Sequence, residues 1–264
     1  MTLLEAIIFG VVQGATEFLP VSSSGHLAVM KSVLELGEIP ILFDVLLHVA
    51  TLIVVVVVFW RRLAGIVVSI GRWMVRRVGE ADRPNLRAAL IILLATVLTG
   101  AIGVALNSFE FAGQPKVVSA LFLVTAAILI GARFFRGSRT YSELSWKDAV
   151  VVGVAQGFGA LPGISRSGIS ISAGRATGLG RQEAGEFAFV ISVPAVLGAL
   201  ALTLRDAGEL SAMVSLGAIV AGFVAALVVG LAALLLLMRL VRHGRLYLFA
   251  IYLVPLGIAG LTFL

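Results

Sequence analysis

Six long apolar runs, separated by short polar segments, dominate the hydrophobic pattern of the chain. Each run is long enough to cross a bilayer as a helix. The runs cover residues 43–60, 88–106, 117–135, 186–204, 212–238 and 247–264. Arginines cluster after the first, third and fifth runs, so the positive-inside rule predicts that these loops are cytoplasmic. Loops 107–116 and 205–211 are then external, and residues 66–74 are predicted to lie on the membrane surface.

Two further apolar stretches are interrupted by polar residues. Residues 2–20 contain Gln13 and Glu17 and end at a proline, which suits a half-helix that stops inside the membrane. The hydroxyls of residues 22–24 can cap a second half-helix that runs back out. A stretch that begins at Asp148 has the same form. Each stretch is therefore predicted to be a re-entrant helical hairpin, because non-helical backbone at this depth must be buried in protein or line a wet cavity.

The two hairpin stretches are copies of one another, since they align without a gap from Gly10 on Gly153 onward. Each copy contains one hairpin and three spans, and because three is odd, the second copy is inverted in the membrane. The predicted fold is an all-α polytopic membrane protein of one domain, residues 1–264. It has six transmembrane helices and two re-entrant helical hairpins in an inverted-topology repeat, approximately 1–135 and 145–264. Both termini are predicted to be external.

Composition and charge agree with this class of protein. The chain is 60% hydrophobic and 13% charged, with a mean hydropathy of +1.10, whereas soluble domains carry roughly 25% charged residues. Its net charge is +6. Because the arginines lie in loops between apolar runs, they are expected to orient the protein in the membrane and not to bind nucleic acid. The chain has no cysteine, so thiol chemistry is excluded. The N-terminus lacks a basic leader region, and no removable signal peptide is expected.

The hairpins hold the candidate chemistry. An ionisable residue inside a membrane is costly, so Glu17 should line a polar cavity, and Gln13 shares its helix face. Two serine-rich helix N-termini aimed at one point make an anion site, to which Arg166 adds a fork suited to phosphate oxygens. His26 lies on the same helical turn as Ser23. The candidate site residues are Gln13, Glu17, Ser22, Ser23, Ser24, His26, Ser165, Arg166 and Ser167.

Some of these residues also have purely structural interpretations. Small residues such as Ser24 favour close helix packing in membranes. Gln13 has an equivalent in Gln156, so scaffold hydrogen bonding is as reasonable as ligand contact. His48 lies on the first span, with either a functional or a packing role. Arg175, about two turns after the second serine turn, can reach the cavity or extend to the membrane surface.

Residues 13–26 and 161–170 resemble the two signature motifs of the undecaprenyl-diphosphate phosphatase family, the bacitracin-resistance type. The resemblance implies a metal-dependent hydrolase of the plasma (inner) membrane. Its substrate would be a C55 polyprenyl diphosphate, whose monophosphate is recycled as the lipid carrier for peptidoglycan synthesis, and it would confer bacitracin resistance. It also implies a site that opens to the external, periplasmic side, contact with membrane lipids and, in many members, a homodimer.

The resemblance also implies roles for single residues. Glu17 would bind a divalent cation, Mg²⁺ or Ca²⁺, or transfer a proton. Ser23 would be the nucleophile and His26 the acid/base, although the motif leaves open which of the two attacks phosphorus. Arg166, with the serines beside it, would hold the diphosphate. Gln13 stands where many members have Glu, which weakens any metal site built on two carboxylates.

A transporter or flippase for polyprenyl phosphate is the alternative function, because inverted repeats with broken helices are a transporter architecture. A symmetric transport site would keep similar residues in both copies. Glu17, Ser23 and His26 occur only in the first copy, which favours catalysis at a fixed site. An intramembrane serine protease would give no reason for two anion-binding turns.

Overall fold

The computed structural model describes residues 1–33, 41–107, 113–206 and 214–263. These residues form eleven α-helices: α1 Leu3–Phe18, α2 Ser23–Val33, α3 Ile41–Val58, α4 Trp60–Met74, α5 Arg83–Asn107, α6 Pro115–Gly131, α7 Trp146–Phe158, α8 Arg166–Ala176, α9 Arg181–Asp206, α10 Leu216–Arg242 and α11 Leu248–Phe263. Within the described ranges, the single β-type contact is an isolated parallel bridge between Arg139 and Leu179.

Four of these helices, α5, α6, α9 and α10, are long and apolar enough to cross a membrane. Helices α3 and α4 meet at an angle of 81° and count as a fifth span if they are taken together. Helix α11 is apolar but shorter. Many large apolar side chains are exposed on the outer faces of these helices, as a lipid-facing surface requires. The protein is therefore an all-helical, multi-pass membrane protein.

The predicted spans agree with the helices to within a few residues at most ends. The largest differences are at α5, which begins at Arg83 and not at Ala88, and at α9, which begins at Arg181 and not at Glu186. The predicted external loops 107–116 and 205–211 lie partly outside the described residues. Residues 66–74, predicted to lie on the membrane surface, belong to α4, and the bend before α4 is the geometry that such a position needs.

Matching capping boxes begin the first helix of each hairpin. The amide of Thr2 donates to the carboxylate of Glu5 at 2.8 Å, and the Glu5 amide donates back to the Thr2 hydroxyl at 3.2 Å. At the equivalent place before α7, the amide and the hydroxyl of Ser145 both donate to the carboxylate of Asp148 at 2.7 Å. Such boxes satisfy amide donors that have no partner inside the helix, so both hairpin entries are locally encoded.

Two close helix crossings hold the hairpins in place. Helix α1 packs along α10, and α7 packs along α5. A Cβ atom on Gly10 would lie 2.2 Å from the carbonyl oxygen of Gly222, and one on Gly153 would lie 2.8 Å from the Cα of Ala95. Since neither distance is tolerable, only glycine permits these backbones to approach so closely.

The turns of the two hairpins contact each other near the middle of the protein. The hydroxyl of Ser22 accepts a hydrogen bond from the amide of Gly163 at 2.9 Å. In the other direction, the hydroxyl of Ser167 donates to the carbonyl of Phe18 at 2.9 Å. Gly163 has a φ of +99° and Ser22 a φ of +69°, a region that favours glycine and costs energy for serine. The tightly bent turns therefore bring both helix N-termini, of α2 and α8, to one place.

Candidate active site

Glu17 is the polar centre between the two hairpins. Its Oε2 accepts hydrogen bonds from the Ser23 hydroxyl at 2.7 Å and from the Gln13 amide nitrogen at 3.2 Å. Its Oε1 forms an ion pair with Arg166. The Nε2 atom of His48, on α3, lies 3.9 Å from Oε2. The side chain of Glu17 is only 9% exposed, so its negative charge is balanced by neighbours from α1, α2, α3 and α8.

Arg166 and the serines stand at the starts of α2 and α8. The hydroxyl of Ser165 accepts a hydrogen bond from the amide of Gly168 at 3.1 Å, which caps α8. The hydroxyl of Ser22 accepts one from the amide of Gly25 at 3.3 Å, at the start of α2. Both helix N-termini therefore direct their positive dipole ends toward the space beside Glu17. This arrangement suits a bound anion.

A cavity of about 160 Å³ lies at this point. Its lining residues come from both hairpins and from α3: Thr16, Glu17, Ser22, Ser23, Ser24, His48, Gly159, Ala160, Ile164, Ser165 and Arg166. Since liquid water occupies about 30 Å³ per molecule, the cavity has room for a small polar headgroup and not for a long isoprenoid chain.

A second, narrower pocket of about 30 Å³ touches the same ion pair. It is lined by Glu17 and Arg166 together with Leu52, Val55 and Val196. The polar site therefore adjoins a narrow cleft between α3 and α9, which has room for about one water molecule.

The candidate residues are not all in the cavity lining. Gln13 and Ser167 are buried behind it. Gln13 donates to Glu17 in its own hairpin. The hydroxyl of Ser167 donates to the Phe18 carbonyl of the first hairpin and lies 3.2 Å from the Ser165 hydroxyl. The ring of His26 lies elsewhere: its Nδ1 is 2.8 Å from the carbonyl of Ser22, and its Nε2 is 2.8 Å from the Tyr252 hydroxyl. The structure thus brings together Glu17, Ser23 and Arg166, with the other serines, and places His26 to one side.

His48 is a cavity residue that the motif analysis left open. Its Nδ1 lies 3.0 Å from the carbonyl of Asp44, which directs Nε2 toward Glu17. In the sequence, the only signal was its position on the helix face that also carries Thr51. Arg175 does not reach this cavity, because its guanidinium is bonded to the carbonyls of Phe135, Gly137 and Leu179.

The donor groups fit a hard divalent cation in part. Gln13 directs its amide nitrogen to Glu17, and its Oε1 is buried without a hydrogen-bond partner. This oxygen, the Glu17 carboxylate and the Ser23 hydroxyl are oxygen donors of the kind that Mg²⁺ and Ca²⁺ prefer. Among the described residues, no group of three His, Asp and Glu side chains is arranged to hold a metal. Phosphate oxygens and water would have to complete the coordination, as is usual for Mg²⁺.

The sequence is similar to known proteins over nearly its whole length. A sequence profile of the family described as bacitracin resistance protein BacA matches residues 6–259. The undecaprenyl-diphosphatase of Treponema denticola is 41% identical over 258 residues, which cover 98% of this chain and 96% of that protein. Those of Desulfosudis oleivorans and Methanosphaera stadtmanae are 40% and 36% identical, each over 96% or more of both chains. On this full-length similarity, the chain belongs to the bacitracin resistance protein BacA family.

Proposed function

We propose that the chain is an integral membrane phosphatase that hydrolyses undecaprenyl diphosphate to the monophosphate and inorganic phosphate. The observation that carries this proposal is the meeting of Glu17, Ser23 and Arg166, from two separate hairpins, at one polar cavity beside an apolar cleft. The name undecaprenyl-diphosphatase, borne by the relatives, supplies the substrate. The product would be reused as the lipid carrier for peptidoglycan synthesis, and this reuse would confer bacitracin resistance.

In the proposed reaction, the diphosphate lies between the N-termini of α2 and α8. The guanidinium of Arg166 has five N–H donors, and only part of this set is used by Glu17. The remaining donors bind phosphate oxygens, and charge that develops on them in the transition state is stabilised by the two helix dipoles. The start of the isoprenoid chain lies beside Leu52 and Val55, where the narrow cleft has to widen to admit it.

The Ser23 hydroxyl attacks the terminal phosphorus, and its proton passes to the Glu17 carboxylate, which it contacts at 2.7 Å. The bond between this phosphorus and the bridging oxygen breaks, and the lipid monophosphate leaves. Water then cleaves the phosphoserine, which releases phosphate and restores Ser23. His26 is the proposed acid/base for the leaving oxygen, a role in which its imidazole exchanges the Tyr252 hydroxyl for substrate.

A divalent cation, Mg²⁺ or Ca²⁺, would neutralise charge on the diphosphate when bound. The residues proposed to hold it are Glu17 and, through its unpartnered amide oxygen, Gln13.

We also propose the membrane topology: six spans and two re-entrant hairpins in an inverted repeat, in the plasma membrane, with the site open to the external side. The equivalent capping boxes and the equivalent glycine crossings at Gly10 and Gly153 support the repeat.

Phosphate release from undecaprenyl diphosphate by the purified protein in detergent tests the function, with and without Mg²⁺ or Ca²⁺. Glu17→Gln and Arg166→Ala are each expected to lower kcat by about 100-fold or more, because each removes a charged group in contact with the reacting atoms. Glu5→Gln is the matched control, since it changes a carboxylate on the same helix, far from the cavity, and should retain activity.

Activity of both variants near the level of the unaltered protein would refute the shared site. If the unaltered protein releases no phosphate but still binds polyprenyl phosphate, the transporter function becomes the better explanation, since that function also uses inverted repeats with broken helices.

A further inference from the structure

A second and larger cavity lies at the other end of α8. Its volume is about 670 Å³, which falls within the range of roughly 300–1,000 Å³ that is usual for small-molecule sites. Its lining combines four arginines with apolar side chains and no carboxylate among the described residues: Leu129, Ala132, Arg133, Phe135, Arg136, Gly137, Ile171, Arg175, Arg181, Val241, Gly244, Leu246 and Tyr247. Arg175 is nine residues after Arg166 on α8, about 13 Å along the helix, so this cavity is distinct from the candidate active site.

Arg175 gives the cavity a buried positive charge. Its side chain is only 6% exposed, and its guanidinium donates to the carbonyls of Phe135, Gly137 and Leu179. Carbonyl dipoles satisfy its hydrogen bonds, and the carboxylate of Glu183 on α9 offsets part of its charge without forming an ion pair, while Arg181 opposes it. Buried charges in proteins are usually paired with an opposite charge, and here the open cavity is the place where that opposite charge can lie.

The other three arginines reinforce this charge. Arg133 places its guanidinium 5.2 Å from the ring centre of Tyr247, and Arg136 and Arg181 are exposed at the rim. Within the described ranges, none of the four makes an ion pair with a carboxylate, whereas the neighbouring Arg139 pairs with Asp148 at 2.8 Å. The exposed guanidinium groups of Arg133, Arg136 and Arg181 are therefore not held by a carboxylate and can contact a ligand.

The position of the cavity indicates the chemistry of its ligand. It lies where α6 ends, where α9 begins and where α10 turns into α11, so it is at the level where the membrane meets water. Arginines beside an interfacial tyrosine, above an apolar floor of Leu129 and Ile171, match the headgroup region of an anionic lipid. Guanidinium groups bind phosphate oxygens in pairs of hydrogen bonds.

We propose that this cavity, lined by Arg133, Arg136, Arg175 and Arg181, is a second anion site that binds a phosphate group, separate from the site of hydrolysis. The phosphate can belong to an anionic lipid headgroup or to free phosphate. Either ligand would neutralise the buried charge of Arg175 and hold together the ends of α6, α8, α9 and the turn between α10 and α11.

Binding to the purified full-length protein tests this proposal without any turnover. One arm adds mixed micelles of detergent with phosphatidylglycerol, or with phosphatidylcholine as the neutral comparison, and counts retained lipids by native mass spectrometry. The other arm titrates inorganic phosphate by calorimetry. The test variant is Arg133→Gln with Arg136→Gln, two exposed residues whose replacement leaves the bonds of Arg175 intact. The matched control, Arg77→Gln with Arg87→Gln, removes the same charge from exposed positions outside the cavity.

The double variant at 133 and 136 is expected to bind its ligand about tenfold or more weakly than the unaltered protein, because two charge contacts are lost. The control should bind as the unaltered protein does. Retention of phosphatidylglycerol alone identifies a lipid headgroup, and binding of inorganic phosphate identifies a free anion. Equal binding by both double variants in both arms, or equal retention of the two lipids with no phosphate binding, would overturn the proposal. The hydrolysis assay remains independent, since none of these four arginines lies at the active site.

Discussion

At the residue scale, Gln13 is one of five described residues with a buried side-chain polar atom that has no hydrogen-bond partner. Its amide nitrogen donates to Glu17 at 3.2 Å, while its buried Oε1 has no hydrogen-bond partner. A buried acceptor without a partner costs free energy, and Gln156 Oε1, at the equivalent position of the second copy, is unpartnered in the same way. If Gln13 holds the proposed divalent cation together with Glu17, its amide has to turn so that Oε1 and not the nitrogen faces the carboxylate.

Replacing Gln13 with Glu tests this interpretation. Two adjacent carboxylates repel each other unless a cation or a proton lies between them, so Gln13→Glu should be tolerated at saturating Mg²⁺ and should reach half-maximal activity at a lower Mg²⁺ concentration. Phosphate release as a function of Mg²⁺ concentration measures this. Gln13→Met, similar in size but without the oxygen, should need more Mg²⁺. Complete loss of activity in Gln13→Glu at every Mg²⁺ concentration would show that the amide donor to Glu17 is what matters.

At this scale, the sequence predicts which charged residues need a partner, but it does not predict the direction in which a side chain points. A carboxylate and an arginine inside a membrane need each other, and the ion pair between Glu17 and Arg166 follows from that cost. Spacing alone could not show that His26 would turn toward Tyr252, because that hydroxyl lies on α11, 226 residues away. For the same reason, His48 could not be assigned to the cavity until α3 was placed against α1.

At the scale of elements, Glu5 and Asp148 are equivalent carboxylates at the starts of α1 and α7, but they differ in how many contacts they make with the rest of the protein. Glu5 caps α1 at an exposed position. Asp148 caps α7, but it is completely buried and also receives two hydrogen bonds from Arg139, at 3.1 and 2.8 Å. Arg139 in turn donates to the carbonyl of Thr177, close to the end of α8. The second box therefore fastens the start of α7 to the end of α8, whereas the first only begins a helix.

Alanine at these two positions should consequently have unequal effects. Asp148→Ala leaves Arg139 without its carboxylate, and breaking such a pair costs about 3 kcal/mol or more. Glu5→Ala removes one arm of an exposed capping box, for which about 1 kcal/mol is typical. Thermal unfolding of both variants in detergent measures the difference. Equal losses of stability would mean that the contact with Arg139 contributes nothing beyond helix capping.

Most elements could be predicted because length, apolarity and caps are local properties. The exact position of the bend between α3 and α4 could not, since neither proline nor glycine lies at the break around Phe59. Its cause is tertiary: Phe59 stacks on Phe189 with ring centres 5.9 Å apart, and Arg62 contacts Glu186 at 2.5 Å. Arg62 also lies 4.0 Å above the ring of Tyr141. Arg62, one of the arginines that follow the first apolar run, thus has partners on α9 and in the loop before α7.

At the scale of the whole molecule, the helix contacts come in equivalent pairs. Helix α1 packs on α10 and α7 packs on α5, α3 packs on α9, and α6 packs on α11. When the helices of the two copies are matched in chain order (α1 with α7, α3 with α9, α5 with α10 and α6 with α11), each of these contacts maps onto itself or onto another in the set. A two-fold arrangement of this kind is what an inverted repeat produces. The side of the membrane on which each copy begins then follows from the arginine-rich loops alone.

The cysteine-free sequence makes this topology directly measurable with single introduced cysteines and a membrane-impermeant maleimide. Gly113→Cys, between α5 and α6, and a cysteine added after Leu264 should react in intact cells. Arg77→Cys, Ser138→Cys and His243→Cys, in the arginine-rich segments, should react only after permeabilisation.

Position 243 and the cysteine added after Leu264 together decide whether α11 crosses the membrane. Helix α11 has 16 residues and so extends about 24 Å, less than the hydrocarbon thickness of about 30 Å. It can cross only if its flanking residues complete the span. Reaction of position 243 and of the added C-terminal cysteine on opposite sides would establish that crossing and place the second hairpin in the orientation opposite to the first. Reaction of both on the same side would mean that α11 does not cross, that three spans no longer follow the second hairpin, and that the inverted repeat is wrong.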